Sequence, residues 1–145
     1  MSFSISIIDA KDEYGLGRIL LGGFSEEFEL SFQFWKAFDY QKHWSESIRR
    51  VVDDELDSCL ITSITDPATA NFFFWWPIYR ISNEKIAVQN QIFFLDECHH
   101  AFDITNPYLH IRPRRTTSDE GCKISEWQVP IASLCEWMKN FREWQ

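Results

Sequence analysis

Apolar and polar residues alternate at the start of the chain. Phe3, Ile5 and Ile7 take turns with Ser2, Ser4 and Ser6, a period of two that predicts a half-buried strand. Arg18 to Leu21 is a short apolar run and predicts the next strand. Gly15 and Gly17 mark a turn before it, Gly22-Gly23 a turn after it. Glu27 to Leu30 alternates again, so a short β-meander opens the chain. The period then changes. Tyr40, Trp44, Ile48 and Val51 fall at helical spacing and predict an amphipathic helix over about 36–52, with Asp39 placed to cap its start.

Strand signals return after the helix. Ser58 to Thr65 is rich in β-branched residues, and Asp66-Pro67 makes a turn. The stretch NFFFWWPIYR (Asn71 to Arg80) follows, then a turn at Ser82-Asn83 and a strand over Lys85 to Leu95, which together read as a hairpin. Phe72, Phe74, Trp76 and Ile78 share one face of that strand, and Phe73, Trp75 and Tyr79 share the other. Apolar residues on both faces predict a central strand covered on both sides. Pro77 cannot donate to a ladder and favours an edge or a bulge. The expectation is a mostly buried strand bent near Pro77, with one ring exposed there; a ligand cage lined by the rings is the alternative.

Residues 96–121 carry weak periodicity and predict a long loop with a short strand around Leu109 to Ile111. Lys123 to Val129 predicts a last strand. Pro130 suits the first turn of a helix, and Ile131, Leu134, Cys135 and Met138 give it an apolar stripe over about 130–143. The fold class is therefore α+β: one domain over 1–145, with a largely antiparallel sheet and two amphipathic helices.

The net charge of -8 changes the functional picture. Binding a phosphate backbone calls for Lys and Arg, so direct contact with nucleic acid is disfavoured. An acidic protein suits a basic protein partner, although solubility alone also accounts for such a charge. The run Asp53, Asp54, Glu55 and Asp57 follows the first helix, where negative charge opposes the helix dipole. Acids placed where they destabilise hint at another purpose. No stretch reaches the roughly 18 apolar residues of a membrane span, and the first residues show no basic segment ahead of an apolar one. Cys59, Cys98, Cys122 and Cys135 form no CxxC pair; free thiols in a reducing cytosol are expected.

Catalytic and metal signals are weak. Asp96, Glu97, Cys98, His99, His100 and Asp103 are all metal-ligand types, but their spacing lacks the paired form of a zinc site. Cys98 with His110, or Cys122 with His99, would be nucleophile pairs outside any motif with a mechanical role. His43 beside Trp44 reads as a surface or partly satisfied residue. Gly15 to Arg18 (GLGR) lacks the ending of a phosphate loop. Arg112, Arg114 and Arg115 read either as a contact to RNA or an acidic loop, or as a solvated turn paired with Asp119 and Glu120. The acidic balance favours the turn. Trp137 and Trp144 on the last helix are either an exposed hot spot or a second buried row. No cofactor is implied, and a binding protein stands ahead of an enzyme.

Three stretches carry a family resemblance: FELSFQFWKAFDYQKHW (Phe28 to Trp44), SCLITSITDPATANFFFWWPIYR (Ser58 to Arg80) and GCKISEWQVPIASL (Gly121 to Leu134). They resemble the immunity proteins of contact-dependent growth inhibition, the CdiI group related to Maf-system immunity proteins against EndoU-like nuclease toxins. The resemblance implies a cytosolic inhibitor, not an enzyme. It would bind the C-terminal toxin domain of a cognate toxin one to one, the toxin being an EndoU-like ribonuclease that cuts tRNA. An acidic chain would sit on such a nuclease as an RNA mimic. The family brings no fixed contact motif. The candidate toxin contacts come from the charge pattern: Asp53, Asp54, Glu55 and Asp57 after the helix, and Asp96 and Glu97 beside the long loop. The runner-up is a small-molecule- or metal-binding domain, or an enzyme, using the Cys98 to His110 region. A third reading is a structural subunit of a larger assembly.

Overall fold

A computed structural model describes residues 2–98 and 101–141. The alternating start forms β1 (Phe3–Ala10), which pairs antiparallel with β2 (Tyr14–Leu21), and β2 with β3 (Phe24–Ser31). The meander is thus a three-stranded sheet, but β2 starts earlier than expected. Gly15 and Gly17 lie inside the strand rather than in a turn. A Cβ at Gly15 would meet the Phe32 ring at 2.6 Å, and one at Gly17 would meet the ring of Phe28. The glycines let aromatic rings from β3 and its end lie across the backbone of β2.

The helical stripe forms α1 (Ala37–Asp53) and buries Tyr40, Trp44, Ile48 and Val51. Asp39 caps it by reaching back: its carboxylate accepts the Lys36 backbone N–H at 2.9 Å. The second sheet holds five strands. β4 (Ser58–Ser63) pairs with β5 (Phe72–Arg80). The single strand expected over 85–95 is two, β6 (Lys85–Gln89) and β7 (Gln91–Phe94), separated at Asn90. β6 pairs with the C-terminal end of β5 and β7 with its N-terminal end. β8 (Glu126–Pro130) adds to β6, later than the sequence suggests. All pairings are antiparallel. α2 (Ile131–Asn140) starts at Pro130, which is both its N-cap and the last residue of β8. The remainder of the expected helix, including Trp144, lies outside the described residues.

Pro77 sits in the central strand without breaking it. Opposite β4 it faces Cys59. The Ile61 N–H and C=O point away from β5, toward α1. Alternation along an antiparallel pair then puts the ring nitrogen of Pro77 on the β6–β7 side. There the register covers 72–75 and 78–80 but not 76 and 77. The residue that cannot donate thus occupies the gap where the neighbouring strand breaks.

α1 replaces a strand at the outer side of β4. The Ile61 N–H donates to His43 Nε2 at 2.9 Å, Trp44 Nε1–H donates to the Ile61 carbonyl at 2.8 Å, and the Tyr40 hydroxyl accepts from the Ile64 N–H at 3.0 Å. The same hydroxyl donates to the Ser31 carbonyl at 2.8 Å, so one ring ties the end of β3 to the end of β4. His43 is buried and satisfied, not a surface residue. Burial lowers its pKa from 6.5 to about 3, so the ring is neutral.

The long loop after β7 packs on the five-stranded sheet. Phe102 stacks on Phe73 and Phe93 with centroids 4.9 and 5.5 Å apart, and the Tyr79 hydroxyl donates to the Arg112 carbonyl at 2.9 Å. The strand expected at Leu109 to Ile111 is instead a 3-10 turn over Pro107–His110. Its Tyr108 hydroxyl reaches Ser47 of α1 at 2.9 Å.

Candidate functional site

The carboxylates singled out by sequence lie at two ends of the five-stranded sheet. Asp53 is the last residue of α1, Asp54, Glu55 and Asp57 follow it, and all four are exposed. Asp57 has a structural duty: its Oδ1 accepts the Arg80 N–H at 2.9 Å and its carbonyl accepts Arg50 Nε–H at 2.7 Å. Arg80 in turn donates to the Val51 carbonyl at 2.7 Å, which places a cation at the negative end of the helix and offsets the nearby acids. Glu55 takes a left-handed backbone (φ 58), the one non-glycine residue to do so among those described. Asp53, Asp54 and Glu55 make no side-chain hydrogen bond or ion pair among the described residues.

Asp96 and Glu97 lie past the other end of β5, in a 3-10 turn over Leu95–Glu97. The two acidic groups are about 25 Å apart along the strand, at about 3.3 Å per residue. Glu97 is engaged by Arg112 at 2.9 Å, and Asp96 is exposed and pairs with none of the described residues. The arginine cluster is neutralised throughout. Arg112 pairs with Glu97, Arg114 with Glu126, and Arg115 with Asp119 at 2.7 Å. The solvated-turn reading of that cluster therefore stands over an RNA contact. The Arg114 guanidinium, hydrogen-bonded to Glu126, holds that carboxyl below its usual range.

Among the described residues of the Cys98 to His110 region no reactive pair is assembled. Burial pushes the Cys98 thiol up, which disfavours the thiolate a nucleophile requires. His110 Nε2 accepts the Asp103 N–H at 3.2 Å, and its ring lies 4.7 Å from that of Phe102. Among the described residues, no group of three or more His, Cys, Asp and Glu is placed to hold a metal. His99 and His100 lie outside the described residues, and with them the Cys122–His99 pair. Trp137 is half-buried, edge-on to Phe3 at 5.9 Å.

The aromatic stretch is mostly buried, as expected, but its exposed rings differ in number and place. Phe73, Trp75, Trp76, Ile78 and Tyr79 are buried, and Pro77 is buried with them. Two rings are exposed rather than one, and at the far end from the proline: Phe72 at 44% and Phe74 at 41%. The register sets Phe72 opposite Phe94 and Phe74 opposite Ile92, so the four share one face. Ile92 and Phe94 are exposed to 48% and 44%. The reason is coverage. The inner face, Phe73, Trp75 and Phe93, is roofed by Phe102 and His110 of the loop. On the outer face Trp76 packs on Trp127, which stacks on Phe24 of β3 at 4.3 Å, but this cover stops short of Phe74. The arm made of the N-terminal half of β5 and β7 extends past it.

Phe74 stands between two open grooves. One, of about 320 Å³, runs between β3 and β5 and is lined by Glu26, Phe28, Glu29, Phe74, Trp76 and Asn90 among others. The second, of about 300 Å³, lies beside Phe72 under the 65–71 turn. Neither is lined by Lys or Arg. Glu29 escaped the sequence reading because it alternates outward along β3 like any solvent-facing strand residue, and Glu26, half-buried on the opposite face beside Phe24 and Phe28, falls just before the alternating run. Their nearness to Phe74 depends on how two sheets meet.

These surfaces define an α+β protein with a broad apolar and acidic face rather than a cleft of reactive groups. Residues 30–137 match the family described as the CdiI N-terminal domain. The chain is 34% identical over 118 residues to the immunity protein CdiI of Enterobacter cloacae subsp. cloacae, covering 81% of this chain and 80% of that one. It also superposes with a TM-score of 0.82 and 30% identity on a chain of the solved CdiA-CT/CdiI toxin and immunity complex from Enterobacter cloacae, over 95% of this chain and 97% of that one. The chain belongs to the CdiI immunity protein family.

Proposed function

We propose that this protein is an immunity protein that binds and neutralises a CdiA-CT toxin domain by stoichiometric, one-to-one association, without catalysis of its own. The observation that carries the reading is its likeness, along nearly its whole length, to a chain of a toxin and immunity complex. The charge supports it further: at -8 the chain favours encounter with a basic surface, and a nuclease that attracts RNA has one. The inhibited toxin is then a ribonuclease. Its assignment as an EndoU-like enzyme cutting tRNA rests on the resemblance of the three stretches. The protein acts in the cytosol, where such a nuclease meets its RNA; among the described residues no helix is long and apolar enough to cross a membrane. Of the acidic candidates, Asp53, Asp54, Glu55 and Asp96 have no side-chain partner among the described residues and supply attraction; Asp57 and Glu97 are held by Arg80 and Arg112.

The test is a cleavage assay. The toxin domain encoded beside this protein is mixed with tRNA in one series and with ribosomal RNA in another, and titrated with the protein at low and high salt. Cleavage that stops at one equivalent, with inhibition weakening in salt, is the expected result. Loss of tRNA cleavage supports the EndoU-like assignment, whereas a toxin that cuts only ribosomal RNA removes that assignment and keeps the inhibitor. Undiminished cleavage with no complex formed refutes the immunity reading.

A further inference from the structure

The outer face of the β5–β7 arm has no function inside the fold. Its four side chains, Phe72, Phe74, Ile92 and Phe94, are each more than two-fifths exposed, while the opposite face of the same strands carries the packing. At about 200 Å² per side chain they present roughly 350 Å² of apolar surface. That is within the range of the largest patch on a monomer, where such patches are often functional. It is also close to half of the roughly 800 Å² that one partner contributes to a stable protein interface. The rings are already ordered against each other. Phe72 lies edge-on to Phe74 at 5.5 Å, and 6.4 Å from Phe94. Preset rotamers reduce the entropy lost on binding.

The surroundings of the patch are acidic. Glu26 and Glu29 line the groove beside Phe74, and Asp96 stands in the turn that follows β7, two residues past Phe94, where it lines a further groove with Pro67, Ala68 and Phe102. An apolar centre with a charged rim is the anatomy of an interface. Among the described residues lining the two grooves beside Phe74 the charged side chains are Glu26 and Glu29, which favours a partner whose own rim is basic. A second copy of this chain would bring a second set of the same carboxylates against the first.

We propose that the Phe72–Phe74–Ile92–Phe94 face, with Glu26, Glu29 and Asp96 at its rim, is the seat of the toxin domain, an apolar anchor on the toxin ringed by Lys and Arg packing onto it. This rests on the toxin-binding reading above. It also divides the acidic residues found by sequence. Asp96 stands at the seat. Asp53, Asp54 and Glu55, about 25 Å away, act only at long range on the rate of encounter.

The experiment uses the full chain and the toxin domain encoded with it. Binding is measured by calorimetry for wild type, for a Phe72→Ser/Phe94→Ser variant, and for an Asp53→Asn/Asp54→Asn/Glu55→Gln variant. Amide hydrogen exchange is recorded on wild type alone and in the complex. The expected result is a loss on the order of 100-fold for the ladder variant, as for removal of central anchors. The turn variant should lose no more than about threefold. New protection should appear over 72–74 and 91–94. A folded ladder variant that binds like wild type overturns the proposal. So does protection confined to the 53–57 turn. If the ladder variant does not fold, the exchange map on wild type decides alone. Free protein that is already a dimer, with the ladder protected, overturns the proposal in favour of a second copy. Wild type that does not bind the toxin refutes the toxin reading itself, a result distinct from binding at another surface.

Discussion

His43 makes the stability of this protein depend on pH in a calculable way. In the folded chain burial lowers the pKa of the ring from 6.5 to about 3, and its Nε2 accepts the Ile61 N–H. Unfolded, it titrates near 6.5. Between these values the unfolded state holds a proton that the folded state does not. Stability therefore rises with pH across that window and is lost as pH falls through it. From pH 7 to pH 5 the loss is about 2 kcal/mol, set by the unfolded pKa alone as long as the folded one lies well below 5. His43→Gln keeps an acceptor for Ile61 and removes the proton site. Urea unfolding of both proteins at pH 7 and pH 5 isolates the contribution, because every other titrating group is common to the two. Wild type should lose about 2 kcal/mol more than the variant on acidification, a difference of about 1 M in midpoint. Equal losses in the two proteins would refute the argument, as would a His43 proton resonance titrating near pH 6.5 in the folded state.

Two further outcomes follow from the same packing. Trp44 and Trp75 are both buried, but Trp44 donates to the Ile61 carbonyl at 2.8 Å, whereas the Trp75 indole N–H has no hydrogen-bond partner among the described residues. Trp44→Phe should therefore destabilise by about 1–3 kcal/mol more than Trp75→Phe, since it leaves a buried carbonyl unpaired; equal costs in denaturant melts would contradict the assigned bond. Glu55→Gly should relieve the left-handed backbone after α1 and raise stability by about 1 kcal/mol, or about 2–4 °C in Tm, whereas Glu55→Ala should give no gain.

The α+β class, both helices and most strands were legible because their periods are strong. The Tyr40 to Val51 stripe had one reading, and the helix begins and ends within a residue of the expected 36–52. Gly15 and Gly17 misled because a glycine in a turn and a glycine under a neighbouring ring look alike in one dimension. The 85–95 strand broke at Asn90, where Asn90 Nδ2 donates to Glu26 of the other sheet at 3.3 Å, a contact no local pattern encodes. The burial of NFFFWWPIYR was half readable. Both faces are apolar, but the loop roofs only one, and the other is covered only near Trp76. Asp57 was legible as an acid and not as a ligand of the Arg80 amide, since that bond joins positions 23 residues apart. The family was carried by core-like stretches, which is why it was readable while the contact surface was not.

The way α1 lies along β4 has a consequence for solubility. An open strand edge is a template on which other chains can add strands and aggregate. The outer edge of β4 bears SCLITS, an apolar, β-branched segment suited to such pairing. His43, Trp44 and Tyr40 occupy its hydrogen-bonding groups with side chains from a helix. That helix cannot itself be extended by another strand. The native state is therefore sealed at this edge, and self-association should begin from molecules in which α1 has come away while the five-stranded sheet persists.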